Sequence, residues 1–306
     1  MFEKKALYQK YRPTRIQDII GQEHIKQTII NAVKQDKLSH AYLFAGLRGT
    51  GKTSLARIMA RIVNCDNAPS VDYTDDDKYI KMINEGSFPD IRELDAASNS
   101  SVENLRDIIK DAYNIPMMGQ KKVFIIDECQ ILKNNSLAAI LKTLEEPPSH
   151  AMFILCTTDP QKVLPTIHSR CQRFQFRKIK NSEIVTHLKM ICKQEGISVA
   201  QDSVLEAVAK ASGGSVRDAL SSFDAILSRC GTNVTETEAL DILGLSGQDQ
   251  IFIIVKALFK EDYRAAIIRT GNLVNGSGKD PKDVTEIQTT KRSRANTRNY
   301  PTRRSS

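Results

Sequence analysis

Eight residues, Gly46 to Thr53, read GLRGTGKT and follow the pattern G-x-x-x-x-G-K-T. They come directly after an apolar run, Ala41 to Ala45 (AYLFA), and directly before Leu55, Ile58, Met59, Ile62 and Val63, which recur at helical spacing. Strand, glycine-rich turn and helix in that order belong to a parallel α/β sheet, with the turn at the C-terminal end of its strand. The glycines let the backbone curl so that its N–H groups and the positive end of the helix, which starts near Thr53, converge on phosphate. Lys52 supplies a cation for the outer phosphates and Thr53 a hydroxyl for Mg²⁺. An ordinary Gly-rich turn is the alternative, and the flanking strand and helix argue against it.

The rest of the first half continues the same alternation. Ile91 to Asp95, Val123 to Asp127 (VFIID), Met152 to Thr157 (MFILCT) and Arg173 to Phe176 read as four more strands, interleaved with helical periodicity. The expected architecture is a parallel sheet with helices on both faces. From about Lys178 the pattern turns wholly helical. Ile184, Leu188 and Ile191 share one face, Val204, Leu205 and Val208 another, and the glycine pair Gly213-Gly214 ends one helix before Ser215 caps the next. We divide the chain into an α/β domain (1–177), a small all-α lid (178–243), a shorter helical segment (244–284) and a basic tail (285–306) without apolar periodicity, read as disordered.

Composition narrows the function classes. The longest apolar runs are far too short to cross a bilayer, and MFEKKALYQKYRP shows no secretory signal, so a cytoplasmic protein without membrane attachment is expected. Six scattered cysteines without a C-x-x-C pair read as free buried thiols. The net charge is +8, but residues 286–306 carry six basic groups against one acid, a net +5, which leaves +3 for the remainder. Charge alone therefore does not assign nucleic-acid binding to the folded part.

Val123 to Glu128 (VFIIDE) is an apolar strand ending in two carboxylates. Asp127 can hold the Mg²⁺ shell, and Glu128 can orient and polarise an attacking water. The stretch DECQILKNNSLAAILKTLEEPPSHAMFILCTTDPQKVLPTIHSRCQRFQF resembles the clamp-loader gamma/tau family of AAA+ ATPases. The likeness runs over roughly residues 6–284 and is densest from Tyr42 to Phe176. It implies a P-loop AAA+ fold with a helical lid and collar, and ATP with Mg²⁺ as cofactors. Thr157 would be the sensor-1 residue, Arg170 in S-R-C the arginine finger reaching a neighbour's ATP, and Arg217 in GGSVRDAL the sensor-2 residue. Tyr11-Arg12-Pro13 and the segment Ile19-Ile20-Gly21-Gln22-Glu23-His24, with Ile20 as its contact, would wrap the base, beside the loop contacts Gly46, Gly49, Thr50, Gly51, Lys52, Thr53 and Ser54. Without the family, Arg170 reads as a surface ion-pair residue, Thr157 as a strand-end hydroxyl, Arg217 as an exposed residue on a capped helix, and the N-terminal segments as a Pro-punctuated loop.

The resemblance further implies a replication motor that opens a sliding clamp and loads it on primed DNA. Its partners would be delta-type subunits in a hetero-oligomer, the clamp, primer-template DNA and the polymerase. A Holliday-junction helicase motor shares the same motifs, and a non-hydrolysing scaffold is the alternative of another class. Two departures stand out. Where the family holds a zinc module this chain has only Cys65 followed by NAPSVDYTDDDKYIKM, so no zinc is expected. After Gly278-Lys279-Asp280-Pro281 the helical pattern is lost, which reads as an incomplete collar followed by a tail that is either a truncated or out-of-frame segment or a DNA-gripping arm.

Overall fold

The computed structural model describes residues 5–98, 102–132, 134–198 and 202–231, together with positions 234, 238–239 and 242–243. The expected collar and tail lie outside these residues. One compact unit ends at Asn233 and a second begins at Val234.

In chain order the first unit contains α1 (Leu7–Lys10), α2 (Glu23–Lys34), β1 (Ala41–Ala45), α3 (Lys52–Ile62), α4 (Lys78–Glu85), β2 (Ile91–Asp95), α5 (Val102–Ala112) and β3 (Lys122–Asp127). It continues with α6 (Asn134–Glu145), β4 (Ala151–Thr157), α7 (Pro165–His168), β5 (Gln172–Gln175), α8 (Asn181–Glu195), α9 (Asp202–Ala211) and α10 (Val216–Cys230). The strands form one parallel sheet in the order β2-β3-β4-β1-β5. The inner strands β3, β4 and β1 are buried on both sides, as a sheet covered on both faces requires, whereas the edge strands β2 and β5 expose most of their residues, Arg92, Glu93 and Arg173 among them.

Successive side chains on a strand point to opposite faces, and the two cores follow that alternation. Tyr42, Phe44, Val123, Ile125, Met152 and Ile154 pack with Ile25 and Ile29 of α2 and Leu55, Ile58 and Met59 of α3. Leu43, Phe124, Ile126, Phe153 and Leu155 pack instead with Leu105 of α5 and Ile140 and Leu144 of α6. Burying a side chain of this size contributes roughly 1.5–3 kcal/mol. These two layers fix the strand ends against one another. In β1 and β4, Ala45 stands opposite Thr157, and in β2 and β3, Asp95 stands opposite Asp127.

After β5 the chain becomes helical. Ile184, Leu188 and Ile191 of α8, Val204, Leu205 and Val208 of α9, and Leu220, Phe223 and Ile226 of α10 are buried. Gly213 and Gly214 take left-handed φ of 60° and 91°, and Ser215 then caps α10 by accepting from the Asp218 amide at 3.2 Å. Among the described residues no helix is long and apolar enough to cross a membrane.

Candidate functional site

The order β2-β3-β4-β1-β5 places β1 between β4 and β5, two strands from much later in the chain, and the turn after β1 opens at the carboxyl ends of these parallel strands, where open α/β sheets form their crevice. The GLRGTGKT turn occupies that crevice. Gly46 N–H donates to the Thr157 carbonyl at 3.1 Å and Phe176 N–H to the Ala45 carbonyl at 2.7 Å, so the turn leaves the sheet pinned on both sides. A Cβ on Gly46 would lie 2.6 Å from the Phe176 carbonyl oxygen, and one on Gly49, at φ +73°, only 2.0 Å from Ser215 Oγ. The glycines are thus required both by backbone curl and by close neighbours.

Gly51, at φ 102°, precedes α3, whose first residue, Lys52, is buried. Lys52 Nζ donates to the carbonyls of Gly46 at 2.8 Å and Leu47 at 2.9 Å, spanning the mouth of the turn. Burial pulls this ammonium below the ordinary lysine value, while the nearby Glu128 and Asp127 favour its charged form. Thr50 is buried with its hydroxyl on the Leu47 carbonyl, and Ser54 is half-buried one turn into the helix start. Thr53 Oγ1 donates to Asp127 Oδ2 at 2.6 Å, which brings a loop hydroxyl and a β3 carboxylate together as two hard oxygen donors. That pair fits a Mg²⁺ ion carried with a nucleotide.

Glu128 follows in the left-handed region, φ 50°, and its amide donates to Asp127 Oδ1 at 2.9 Å. A bulky side chain in that region is held there by its surroundings. Glu128 Oε2 accepts from Gln130 Nε2 at 2.6 Å and from Thr158 Oγ1 at 2.9 Å. Thr157, fully buried at the end of β4, donates its hydroxyl to Gln130 Oε1 at 2.8 Å. The sequence pointed to Glu128 and Thr157 separately. Gln130 and Thr158, which join them, lie within the stretch that carries the family resemblance, but the sequence assigns neither of them a role.

The helical lid reaches the same crevice. Val216 N–H donates to the Gly49 carbonyl at 3.0 Å, and Arg217 Cβ lies 3.1 Å from where a Gly49 Cβ would stand. The Arg217 guanidinium sits over the Tyr8 ring, 5.1 Å from its centroid. Arg12 is half-buried. Burial, then the like charge of Arg57, lower its affinity for a proton, and Glu93 and Asp127 oppose them, so Arg12 belongs to the charged surroundings of the acids. Tyr11 turns to α8, donating to Glu195 Oε1 at 2.5 Å, and burial with that acceptor pushes its phenol up to about 12. Pro13 and Ile20 are half-buried, and it is the adjacent Ile19 that packs toward Gly51.

Gln22 lies in the N-terminal segment that the resemblance marks for wrapping the base, but its contacts are with the sheet-to-lid junction. Its amide donates to the Arg177 carbonyl at 2.7 Å and accepts from the Arg177 N–H at 3.1 Å, which ties the N-terminal segment to the point where sheet gives way to lid.

Arg170 stands apart from this cluster. Its guanidinium pairs with Glu145 at the end of α6 and donates to the Thr166 carbonyl at 2.8 Å and to Ser169 Oγ at 3.2 Å. Its partners therefore come from α6 and the α7 corner, and none of them is a residue of the turn or of the acid pair.

Cys65 is buried, with its thiol toward the Ile62 and Ser70 carbonyls. Among the described residues no group of three or more His, Cys, Asp or Glu is placed to hold a metal. Asp77 instead closes this segment, accepting from the amides of Asp66 at 2.7 Å, Tyr79 at 2.8 Å and Ile80 at 3.1 Å.

Comparison with known proteins gives a consistent result. Residues 21–180 match the family described as DNA polymerase III, delta subunit, and residues 183–232 match the DNA polymerase III clamp loader subunit, ATPase lid domain. DNA polymerase III subunit tau of Bacillus subtilis is 44% identical over 282 residues, covering 92% of this chain and 50% of that protein. The tau subunit of Escherichia coli is 38% identical over 254 residues, covering 83% of this chain and 39% of its own length. The chain thus spans half the length or less of these curated relatives. Among solved structures, the RuvB Holliday junction branch migration motor of Thermotoga maritima superposes with a TM-score of 0.56 at 18% identity, over 88% of this chain and 86% of that one. At that identity the likeness concerns the fold alone.

Proposed function

The chain belongs to the DNA polymerase III clamp-loader family, in its gamma/tau branch, and from that premise we propose that it is an ATP-hydrolysing motor subunit that helps open a sliding clamp and load it on primed DNA. The single observation that carries the reading is the convergence of Lys52, Thr53, Asp127, Glu128 and Thr157 on one crevice at the carboxyl end of the sheet. Phosphoryl transfer asks for placed charge more than covalent chemistry, and this crevice offers a buried cation, amides at a helix N-terminus and two acids.

In this reading Gly46, Gly49, Thr50, Gly51, Lys52, Thr53 and Ser54 cradle the phosphates of ATP. Thr53 and Asp127 hold Mg²⁺, which supplies charge neutralisation at the phosphate oxygens. Glu128 orients and polarises the attacking water, and Thr157 senses the terminal phosphate. Arg217 answers from the lid, close to Gly49, so that nucleotide at the turn biases the position of α10. Tyr11, Arg12, Pro13 and Ile20 line the approach from the N-terminus.

Arg170 serves a neighbouring subunit's ATP, and Glu145 holds it until that neighbour docks. Residues 1–177 carry the chemistry, 178–243 form the lid, 244–284 contribute to a collar and 285–306 form a basic tail. The assembly is a cytoplasmic hetero-oligomer with delta-type subunits, working on the clamp and primer-template DNA alongside the polymerase.

The test is steady-state ATP hydrolysis by the purified chain as delta-type subunits, clamp and primed DNA are added in turn. Turnover stimulated by clamp and primed DNA together, absent in Lys52→Ala and strongly reduced in Arg170→Ala, is the expected result. Tight ATP binding without stimulated turnover would favour a non-hydrolysing scaffold instead.

A further inference from the structure

Gln130 lies in the short 3-10 turn Cys129–Ile131 that follows β3, anchored by the fully buried Cys129. Its amide makes three contacts, each to a group of the crevice: Nε2 to Glu128 Oε2 at 2.6 Å, Nε2 to Thr158 Oγ1 at 2.8 Å, and Oε1 to Thr157 Oγ1 at 2.8 Å. An ionised carboxylate only accepts, so the nitrogen must face Glu128 and the oxygen must face Thr157. The orientation of the amide is therefore set by the chemistry of its partners.

A threonine hydroxyl has one proton to give. Thr158 gives its proton to Glu128 Oε2 at 2.9 Å and accepts from Gln130. Thr157 gives its proton to Gln130 Oε1 and accepts from the Asp159 amide at 3.1 Å. The network is closed. A phosphate oxygen that takes the Thr157 proton takes it from Gln130, and the amide that braces Glu128 then loses its hold on β4. Thr157 is also tied to the phosphate-binding turn, since its carbonyl accepts from Gly46 N–H.

We propose that Gln130 is a positioning residue that couples engagement of Thr157 by the terminal phosphate to the orientation of the Glu128 carboxylate. It touches no reacting atom and acts through Glu128. This rests on the reading of the crevice as an ATP-hydrolysing site. Among the described residues no other side chain hydrogen-bonds to both Glu128 and Thr157, so the link runs through Gln130.

The experiment measures ATP affinity and single-turnover hydrolysis in the full chain and in Gln130→Met, Glu128→Gln and the double variant. Methionine keeps the length of the side chain and removes both donor and acceptor. Gln130→Met is expected to lower the hydrolysis rate at least tenfold, to leave ATP affinity within threefold, and to add nothing in the Glu128→Gln background, since residues acting as one unit are not additive. A merely structural role would lower affinity and rate together, or lower the rate by the same factor in both backgrounds, and either result overturns the proposal. If Gln130→Met does not fold, Thr158→Val removes the other donor on the same carboxylate oxygen and is expected to lower the rate about threefold to tenfold with affinity kept. An unchanged rate there overturns the proposal equally. Wild-type turnover matched by Gln130→Met overturns the coupling alone, whereas a wild type without turnover overturns the hydrolysis reading and this coupling with it.

Discussion

The two ends of the parallel sheet hold carboxylates in opposite ways. At the amino end, Asp90 is 1% exposed and accepts from three backbone amides, those of Met117 and Met118 at 2.7 Å and Gly119 at 2.8 Å. At the carboxyl end, Asp127 and Glu128 are half-buried, and apart from the Glu128 amide on Asp127 Oδ1 their partners are side chains: the Thr53 hydroxyl, the Gln130 amide and the Thr158 hydroxyl. A carboxylate enclosed by backbone N–H groups cannot exchange them without unfolding the loop, whereas one held by rotatable side chains can pass its partners to a ligand. The amino end is therefore built for shape, and the carboxyl end for chemistry.

The largest effect expected from that contrast is at Glu128. Glu128→Gln keeps the shape of the side chain and removes its charge, and should lower ATP turnover by about 10²–10⁴-fold, the usual contribution of a positioned general base, with the urea midpoint of unfolding nearly unchanged. A large loss of stability in this variant would break the comparison, because it would make Glu128 a structural acid like Asp90.

Asp90→Ala should do the reverse. It strands three amide donors in a buried loop, and the expected cost is on the order of 2–4 kcal/mol, read as a lower urea midpoint at unchanged slope, while the folded protein binds ATP as the wild type does. Selective loss of ATP affinity without loss of stability would contradict the structural role.

The smallest effect sharpens the series at an intermediate carboxylate. Asp77 caps α4 and fastens Asp66 at the partly exposed surface, so Asp77→Ala should cost about 1 kcal/mol by thermal unfolding, and Asp77→Asn, which keeps an acceptor oxygen, less.

Much of the carboxyl end was legible in the sequence, because GLRGTGKT and VFIIDE combine residue type with position after an apolar strand. Strands 41–45 and 91–95 fall where the apolar pattern put them. β3 begins one residue earlier than the apolar run, at Lys122, because that lysine is buried and its ammonium is satisfied by Asp111 at 2.6 Å. β5 covers Gln172–Gln175 rather than 173–176, and Phe176 still donates to β1 beyond the strand end.

The amino end was not legible. Asp90 follows Phe88-Pro89 without any motif, and only the fold brings residues 117–119 around it. The partners of Gln22 and Gln130 escaped for a related reason. Gln22 meets Arg177 across 155 positions of sequence, and a lone polar residue carries no period that would announce such a partner. Arg170 shows the limit from the other side: S-R-C marks the residue, yet the pairing with Glu145 is set by how the end of α6 packs beside α7.

The most direct test of the account is equilibrium binding of ATP to the purified chain, with and without Mg²⁺, next to Lys52→Ala. The account predicts saturable binding of one ATP per chain, strengthened by Mg²⁺ and weakened at least about 100-fold in the variant, since the buried Lys52 ammonium is the cation placed for the phosphates. Equal binding by the two proteins would contradict the assignment of the GLRGTGKT crevice as the nucleotide site.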